Sequence, residues 1–147
     1  PKNLPIEQEF IAGLYKSDRD IVLGIVIKAN DKLIGSTGLH RIDWKNRHAM
    51  FGILIGDKTE WDKGYGTEAT RLMLKYGFET LNLNKIYLYV HELNQRGIRA
   101  YEKAGFKKEG VLRHAYFRNG RYYDTIAMGI LREEWEGLCR LGSGGSG

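Results

Sequence analysis

The segment Trp61-Asp62-Lys63-Gly64-Tyr65-Gly66-Thr67-Glu68-Ala69 limits the fold more than any other stretch of the chain. It joins an apolar run, Phe51-Gly52-Ile53-Leu54-Ile55, to a stretch from Gly64 to Thr80. In that stretch Ala69, Leu72, Met73 and Tyr76 recur at helical spacing. A strand, a glycine turn and an amphipathic helix are expected in that order. Two glycines at the first helical turn leave backbone N–H groups uncovered by side chains. Those groups have no partner within the helix and stand at the positive end of its dipole. That arrangement takes phosphate or pyrophosphate, so a phosphate-bearing cofactor is the expectation and a tight turn without a ligand the plain alternative. The segment is not a Walker loop, because no Gly-Lys-Ser/Thr follows at the required spacing. It is not the Gly-x-Gly-x-x-Gly dinucleotide fingerprint either. Ala69 fills the third place only in its loose form, and no acidic residue ends a second parallel strand in register.

The rest of the chain reads as a single domain over residues 1–140. Pro5 to Ser17 predicts a helix with Ile6, Phe10 and Leu14 on one face. Ile21 to Ala29 and Leu33 to Asp43 alternate as strands around the turn Asn30-Asp31-Lys32. Ala49 to Ile55 is a third strand, with Gly52 marking a bulge. After the Gly64–Thr80 helix come a Lys85–Val90 strand and a short helix from Asn94 to Lys103. Lys107–Tyr116 and Arg121–Leu131 form a hairpin around Asn119-Gly120. Glu133 to Arg140 is a brief helix, and residues 141–147 read as a flexible glycine-serine linker.

A chain of 147 residues with 42% hydrophobic content suits one compact core. No run of 18 apolar residues suggests a membrane span, and no signal-like opening appears. The single cysteine, Cys139, has no partner for a disulfide or a thiolate metal site. These features point to the cytoplasm. The net charge of +5 is concentrated in Lys85, Arg96, Arg99, Lys103, Lys107, Lys108, Arg113, Arg118 and Arg121. It suits either an anionic cofactor or nucleic acid. Neither zinc spacing nor an aromatic RNA-binding signature accompanies it, so nucleic acid is the weaker reading.

The Lys85–Val90 strand leads into a second block, Asn94-Gln95-Arg96-Gly97-Ile98-Arg99-Ala100-Tyr101-Glu102-Lys103-Ala104-Gly105-Phe106. Together the two blocks resemble the GNAT superfamily of N-acetyltransferases. The first matches that superfamily's Gly-x-Gly pyrophosphate loop, and the second its Asn…Tyr-Glu-Lys-x-Gly-Phe segment. The resemblance runs from about Ile21 to Leu131. Leu81–Tyr87 and Phe117–Asp124 are similar to the subgroup holding ribosomal-protein and spermidine acetyltransferases.

The resemblance implies an α/β (α+β) domain with a mixed, mainly antiparallel sheet and flanking helices. It implies acetyl-coenzyme A as cosubstrate, no metal, and direct attack by a primary amine of a small molecule or peptide. Asp62, Lys63, Gly64, Tyr65, Gly66 and Thr67 would hold the pyrophosphate. The backbone of Ile53, Leu54 and Ile55 would pair with the pantetheine arm and stabilise the oxyanion. Asn94, Gly97, Ala100 and Lys103 would line the cofactor from the second block, where Asn94 also suits a helix cap. Tyr101 would protonate the leaving thiolate. Trp61 is expected to pack beside the loop.

The general base stays open. Many relatives carry a glutamate where this chain has Met50, and His40, Asp43, His91 and Glu92 are the available substitutes. Freeing a lysine-like amine at pH 7 costs about 4–5 kcal/mol, and a peptide α-amine only about 1. A low-pKa amine or a water relay is therefore easier to support. A coenzyme A-binding module without catalysis keeps the same site. Members of the superfamily usually open with a strand and one or two helices ahead of Ile6, which this sequence lacks. The Ile21–Ala29 strand is therefore expected to be an open edge, filled by a second copy in a dimer or by another segment.

Overall fold

A computed structural model describes residues 8–16 and 18–145. Its seven strands are β1 (Gln8–Lys16), β2 (Ile21–Ile27), β3 (Lys32–Asp43), β4 (His48–Ile55), β5 (Lys85–His91), β6 (Lys107–Arg118) and β7 (Arg121–Leu131). The helices are α1 (Tyr65–Lys75), α2 (Gln95–Ala104) and α3 (Arg132–Gly145). All strands lie in one sheet of order β1-β2-β3-β4-β5-β7-β6. Every neighbouring pair is antiparallel except β4 and β5, so the expected mixed, mainly antiparallel architecture is present.

The parallel pairing is short. His48, Ala49 and Met50 face Lys85, Ile86 and Tyr87, and no pair follows. Beyond Met50 the two strands part, although β4 continues beside β3 as far as Ile55. That opening in the middle of the sheet is where the site forms.

Strand alternation decides what lies on each face. Ile86, Leu88 and Val90 of β5 are buried, while Lys85, Tyr87 and Tyr89 are not. On β4, Ala49 and Phe51 are buried and Met50 points the other way. The buried face packs against Met73 and Leu74 of α1, Phe78, Ala104 of α2 and Trp135 of α3. Removing Met73, Leu74 or Phe78 from water stabilises the fold by roughly 1.5–3 kcal/mol each. A smaller cluster of Ile25, Ile27, Ile34, Tyr65 and Ala69 seats the start of α1 against the sheet.

Several expectations need correction. The helix predicted over Pro5–Ser17 is replaced by β1, which pairs with β2 in a register from Gln8↔Ile27 to Lys16↔Ile21. Of that predicted helix, residues 5–7 and Ser17 lie outside the described residues. A glycine at position 13 costs a helix about 1 kcal/mol, and β2 offers a row of backbone groups that another strand satisfies. The same strand covers Ile21–Ile27 of the Ile21–Ala29 edge expected to be open, so a second copy is not needed to fill it. Gly52 marks no bulge. It pairs regularly with Gly38, and the register shift falls between His40 and Asp43 instead.

The long helix is regular only to Lys75 and widens into a π turn over Tyr76–Thr80. At the other end, α3 runs through Gly145 and so enters the glycine-serine run. The hairpin forms as expected. Asn119 (φ 51°) and Gly120 (φ 77°) both take the positive values that a tight two-residue turn requires. No helix among the described residues is long and apolar enough to cross a membrane.

Candidate functional site

A cleft of about 630 Å³ opens where β4 leaves β5. Its floor is Ile53, Leu54 and Ile55, and its walls are the N-terminal ends of α1 and α2. Gly64 precedes α1 in the left-handed conformation (φ 85°, ψ 0°), without a side-chain cap. The first bond of the helix runs from Glu68 N–H to the Gly64 carbonyl (3.0 Å). The N–H groups of Tyr65, Gly66 and Thr67 therefore have no partner within the helix. A Cβ added to Gly66 would meet only the Ile55 Cδ1, at 3.7 Å. The space over this turn is open, and the bare glycine leaves the backbone within reach of a ligand.

Across the cleft, the Asn94 side chain accepts from the Gly97 N–H (2.9 Å) and caps α2. Gly97 is needed for that cap, since a Cβ there would come within 2.5 Å of Asn94 Nδ2. Tyr101 lies one turn further and is half-buried. Its ring is edge-on to Phe51 (6.1 Å between centroids) and Phe106 (6.0 Å). Burial pushes the phenol above its ordinary pKa, so the hydroxyl holds its proton at neutral pH.

The structure gathers Ile53, Leu54, Ile55, Asp62, Gly64, Tyr65, Gly66, Thr67, Asn94, Gly97, Ala100 and Tyr101 around this one cleft. Lys63 and Lys103 stand outside its lining. The Lys63 ammonium is spent on Glu60 (3.1 Å), and Glu60 also binds Lys32 (2.9 Å). Lys32 pairs in turn with Asp57 (2.8 Å), whose pKa falls to about 2, chiefly through that contact. Lys103 contributes a carbonyl that accepts from Arg71 (3.2 Å).

Trp61 does more than pack beside the loop. Its indole Nε1 donates to the Ile55 carbonyl (2.8 Å), so one backbone group expected for the ligand is already engaged. The Arg96 guanidinium lies 4.8 Å from the Trp61 ring and 3.3 Å from Asp62. Arg96 and Arg99 line the cleft and went unassigned in the sequence. The signal was available. Arg96, Gly97, Ala100 and Tyr101 recur on one side of α2.

The candidate bases lie outside the cleft's lining, as does Met50. Asp43 accepts from Lys45 N–H, Asn46 N–H and the Asn46 amide, and so serves a turn. Glu92 accepts from the Asp124 N–H (2.6 Å). His91 stacks on Tyr116 at 4.2 Å. His40 Nδ1 sits 3.2 Å from Asp20.

Residues 1–107 match the profile of the acetyltransferase (GNAT) domain. A spermidine N(1)-acetyltransferase of Escherichia coli is 37% identical over 110 residues, covering 75% of this chain and 59% of that protein. A putative ribosomal N-acetyltransferase of Bacillus subtilis is 35% identical over 105 residues, covering 71% and 57%. The chain thus spans less than two thirds of the length of these relatives. Among solved structures, a Vibrio cholerae spermidine N-acetyltransferase in complex with CoA and spermine superposes with a TM-score of 0.76. It is 34% identical, over 81% of this chain and 69% of that one.

Proposed function

The chain belongs to the acetyltransferase (GNAT) domain family, and from that premise we propose that it transfers the acetyl group of acetyl-coenzyme A to a primary amine of a small molecule or peptide. The observation that carries the reading is the cleft between the parted strands. Unbonded helix N–H groups, an open strand backbone and a protonated phenol converge there.

The residues present fit the cosubstrate. A diphosphate suits the N–H groups of Tyr65, Gly66 and Thr67, where the bare Gly66 leaves room. Arg96 and Arg99 bring positive charge to the same cleft. An amide-bearing arm suits the unpaired side of β4 at Ile53 and Leu54. When bound, acetyl-coenzyme A supplies an activated acyl group on a good leaving sulfur.

The protein's own part is to hold, orient and move protons. Thr37 Oγ1 donates to the Gly52 carbonyl (2.9 Å), which fixes β4 where it parts from β5. N–H donors held on that strand stabilise negative charge on an acyl oxygen without rearranging. Tyr101 keeps its proton until a thiolate needs it.

The relatives are named a spermidine N(1)-acetyltransferase and a putative ribosomal N-acetyltransferase, and spermidine presents primary amines. Met50 favours a second reading, a coenzyme A-binding module without turnover. The two separate in one experiment. Coenzyme A is titrated calorimetrically, and thiol release from acetyl-coenzyme A is followed with spermidine and with an alanine-terminated peptide. Binding together with amine-dependent thiol release supports the transferase. Binding without release leaves the module, and no binding overturns both.

A further inference from the structure

The acyl-transfer reading leaves the proton acceptor of the attacking amine unassigned: Met50 cannot accept a proton, and the two carboxylates that line the cleft, Glu60 and Asp62, are paired with Lys32 and Lys63 and with Arg96. The sheet itself narrows the search. Leu39 and Phe51 belong to the buried face, which also carries Tyr101. Their neighbours His40, Met50 and Gly52 therefore project from the opposite face. The gap between β4 and β5 begins after Met50, so Gly52 borders it.

His40 lies over that border. A Cβ on Gly38 would stand 2.9 Å from His40 Nε2, and one on Gly52 would stand 3.7 Å from it. The imidazole is thus laid across two cross-strand glycines, with Nε2 nearer Gly38 of β3 and still within contact distance of the Gly52 position beside the opening. Its other nitrogen is 3.2 Å from an Asp20 carboxylate oxygen. An ionised carboxylate only accepts, so in the neutral ring Nδ1 carries the hydrogen and Nε2 presents a lone pair. The Arg41 N–H also donates to Asp20 Oδ1 (3.3 Å), which steadies the carboxylate. Among the described residues, the strand registers place Val22 of β2 and Met50 and Gly52 of β4, none of which titrates, on the face of the ring, with the Tyr87 phenol of β5 beyond Met50, and Asp20 is the charged group bonded to the ring. The other candidates are committed elsewhere, Asp43 to its turn, Glu92 to the Asp124 N–H and His91 to its stack on Tyr116.

We propose that His40, oriented by Asp20, accepts the proton of the attacking amine from the face of the sheet opposite Tyr101. This inference rests on the transferase reading. The amine arrives neutral, and as its nitrogen bonds to the acyl carbon, Nε2 takes the proton that the nitrogen sheds. The carbon–sulfur bond breaks, and the sulfur takes the proton of the Tyr101 hydroxyl. One proton enters His40 and one leaves Tyr101, and exchange with solvent restores both. The acceptor amine therefore occupies the face bearing His40, while coenzyme A occupies the helix face.

The test pairs His40→Gln with the wild-type protein, using acetyl-coenzyme A and an alanine-terminated peptide over a range of pH. The expected result is a fall in kcat/KM of roughly 10²–10⁴-fold, carried by kcat, with loss of the acid limb of the pH profile. Coenzyme A affinity and melting temperature stay at wild-type values. A second readout needs no turnover. Nitrogen chemical shifts of the free protein place the hydrogen on His40 Nδ1 in the wild type. Hydrogen on Nε2 overturns the proposal. So does a His40→Gln protein with wild-type kcat/KM, one that is slow yet keeps the acid limb, or one that loses coenzyme A affinity as well. Coenzyme A binding with no transfer by the wild type, to the peptide or to spermidine, refutes the transferase reading itself. Failure confined to His40→Gln leaves that reading standing.

Discussion

Replacing Tyr101 with phenylalanine removes a single oxygen from the cleft. The ring contacts to Phe51 and Phe106 remain, and each such pair contributes about 0.5–1.5 kcal/mol. Among the described residues the hydroxyl makes no hydrogen bond, so its loss strands no partner. Stability should stay within about 0.5 kcal/mol of wild type, a shift of about 2 °C or less in Tm for a domain of this size. Coenzyme A affinity should be unchanged. The transfer step should slow by roughly 10²–10⁴-fold, which corresponds to about 2.7–5.4 kcal/mol in the barrier. Thiol release at saturating acetyl-coenzyme A measures the rate, and calorimetry measures the affinity. The pH dependence adds a check. Burial raises the Tyr101 pKa, so the acid form persists above the ordinary phenol value of about 10. Any alkaline limb due to this group lies above that value and vanishes in Tyr101→Phe. Equal turnover of the two proteins, where chemistry limits the rate, would show that Tyr101 only packs.

Gly66→Val keeps the fold, because a Cβ there meets only Ile55 Cδ1 at 3.7 Å. It covers N–H groups whose bonds to a charged ligand contribute about 1.5–3 kcal/mol each, so calorimetry should show coenzyme A binding weakened at least tenfold; unchanged affinity places the diphosphate elsewhere. Gly35→Ala acts on the fold, since its Cβ would lie 2.0 Å from the Leu54 carbonyl oxygen. Overpacking of about 1–3 kcal/mol should lower the melting temperature by several degrees, and an unchanged melt contradicts the β3–β4 geometry. The Lys32–Asp57 contact sets a pH signature, because Asp57 has its pKa depressed to about 2. Its contribution is present above the ordinary carboxylate value of about 4 and fades as pH falls toward 2. Melting curves of Lys32→Met should therefore lose less stability across that window than wild type, and parallel acid slopes would refute the pairing.

What could be read in the sequence was local. The Asn119-Gly120 turn needs two positive φ values and names its own hairpin. The Gly64–Gly66 turn announces an uncovered helix start, and the Tyr101 block lies one helix away in the same cleft. What escaped was set by pairing across distance. β1 is a strand because β2 lies beside it, which the periodicity of Phe10 and Leu14 does not reveal. Trp61 reaches the Ile55 carbonyl only because the chain turns back over Lys58–Glu60. The pairing of the Lys63 ammonium with Glu60 joins two charges three residues apart that the sequence does not link. The Asp20–His40 contact spans 20 residues and depends on the β2–β3 register, so the four candidate bases had equal standing until the strands were aligned.

Whether this chain moves an acetyl group onto nitrogen is the central question. The direct measurement incubates the wild-type protein with acetyl-coenzyme A and the alanine-terminated peptide, counting free thiol by colour and acetylated peptide by mass. Thiol and N-acetylated peptide should rise together in equal amounts, and neither should rise when peptide or protein is omitted. Thiol without acetylated peptide would mean hydrolysis, and neither product despite bound coenzyme A, with the peptide and with spermidine in its place, would contradict the transferase outright.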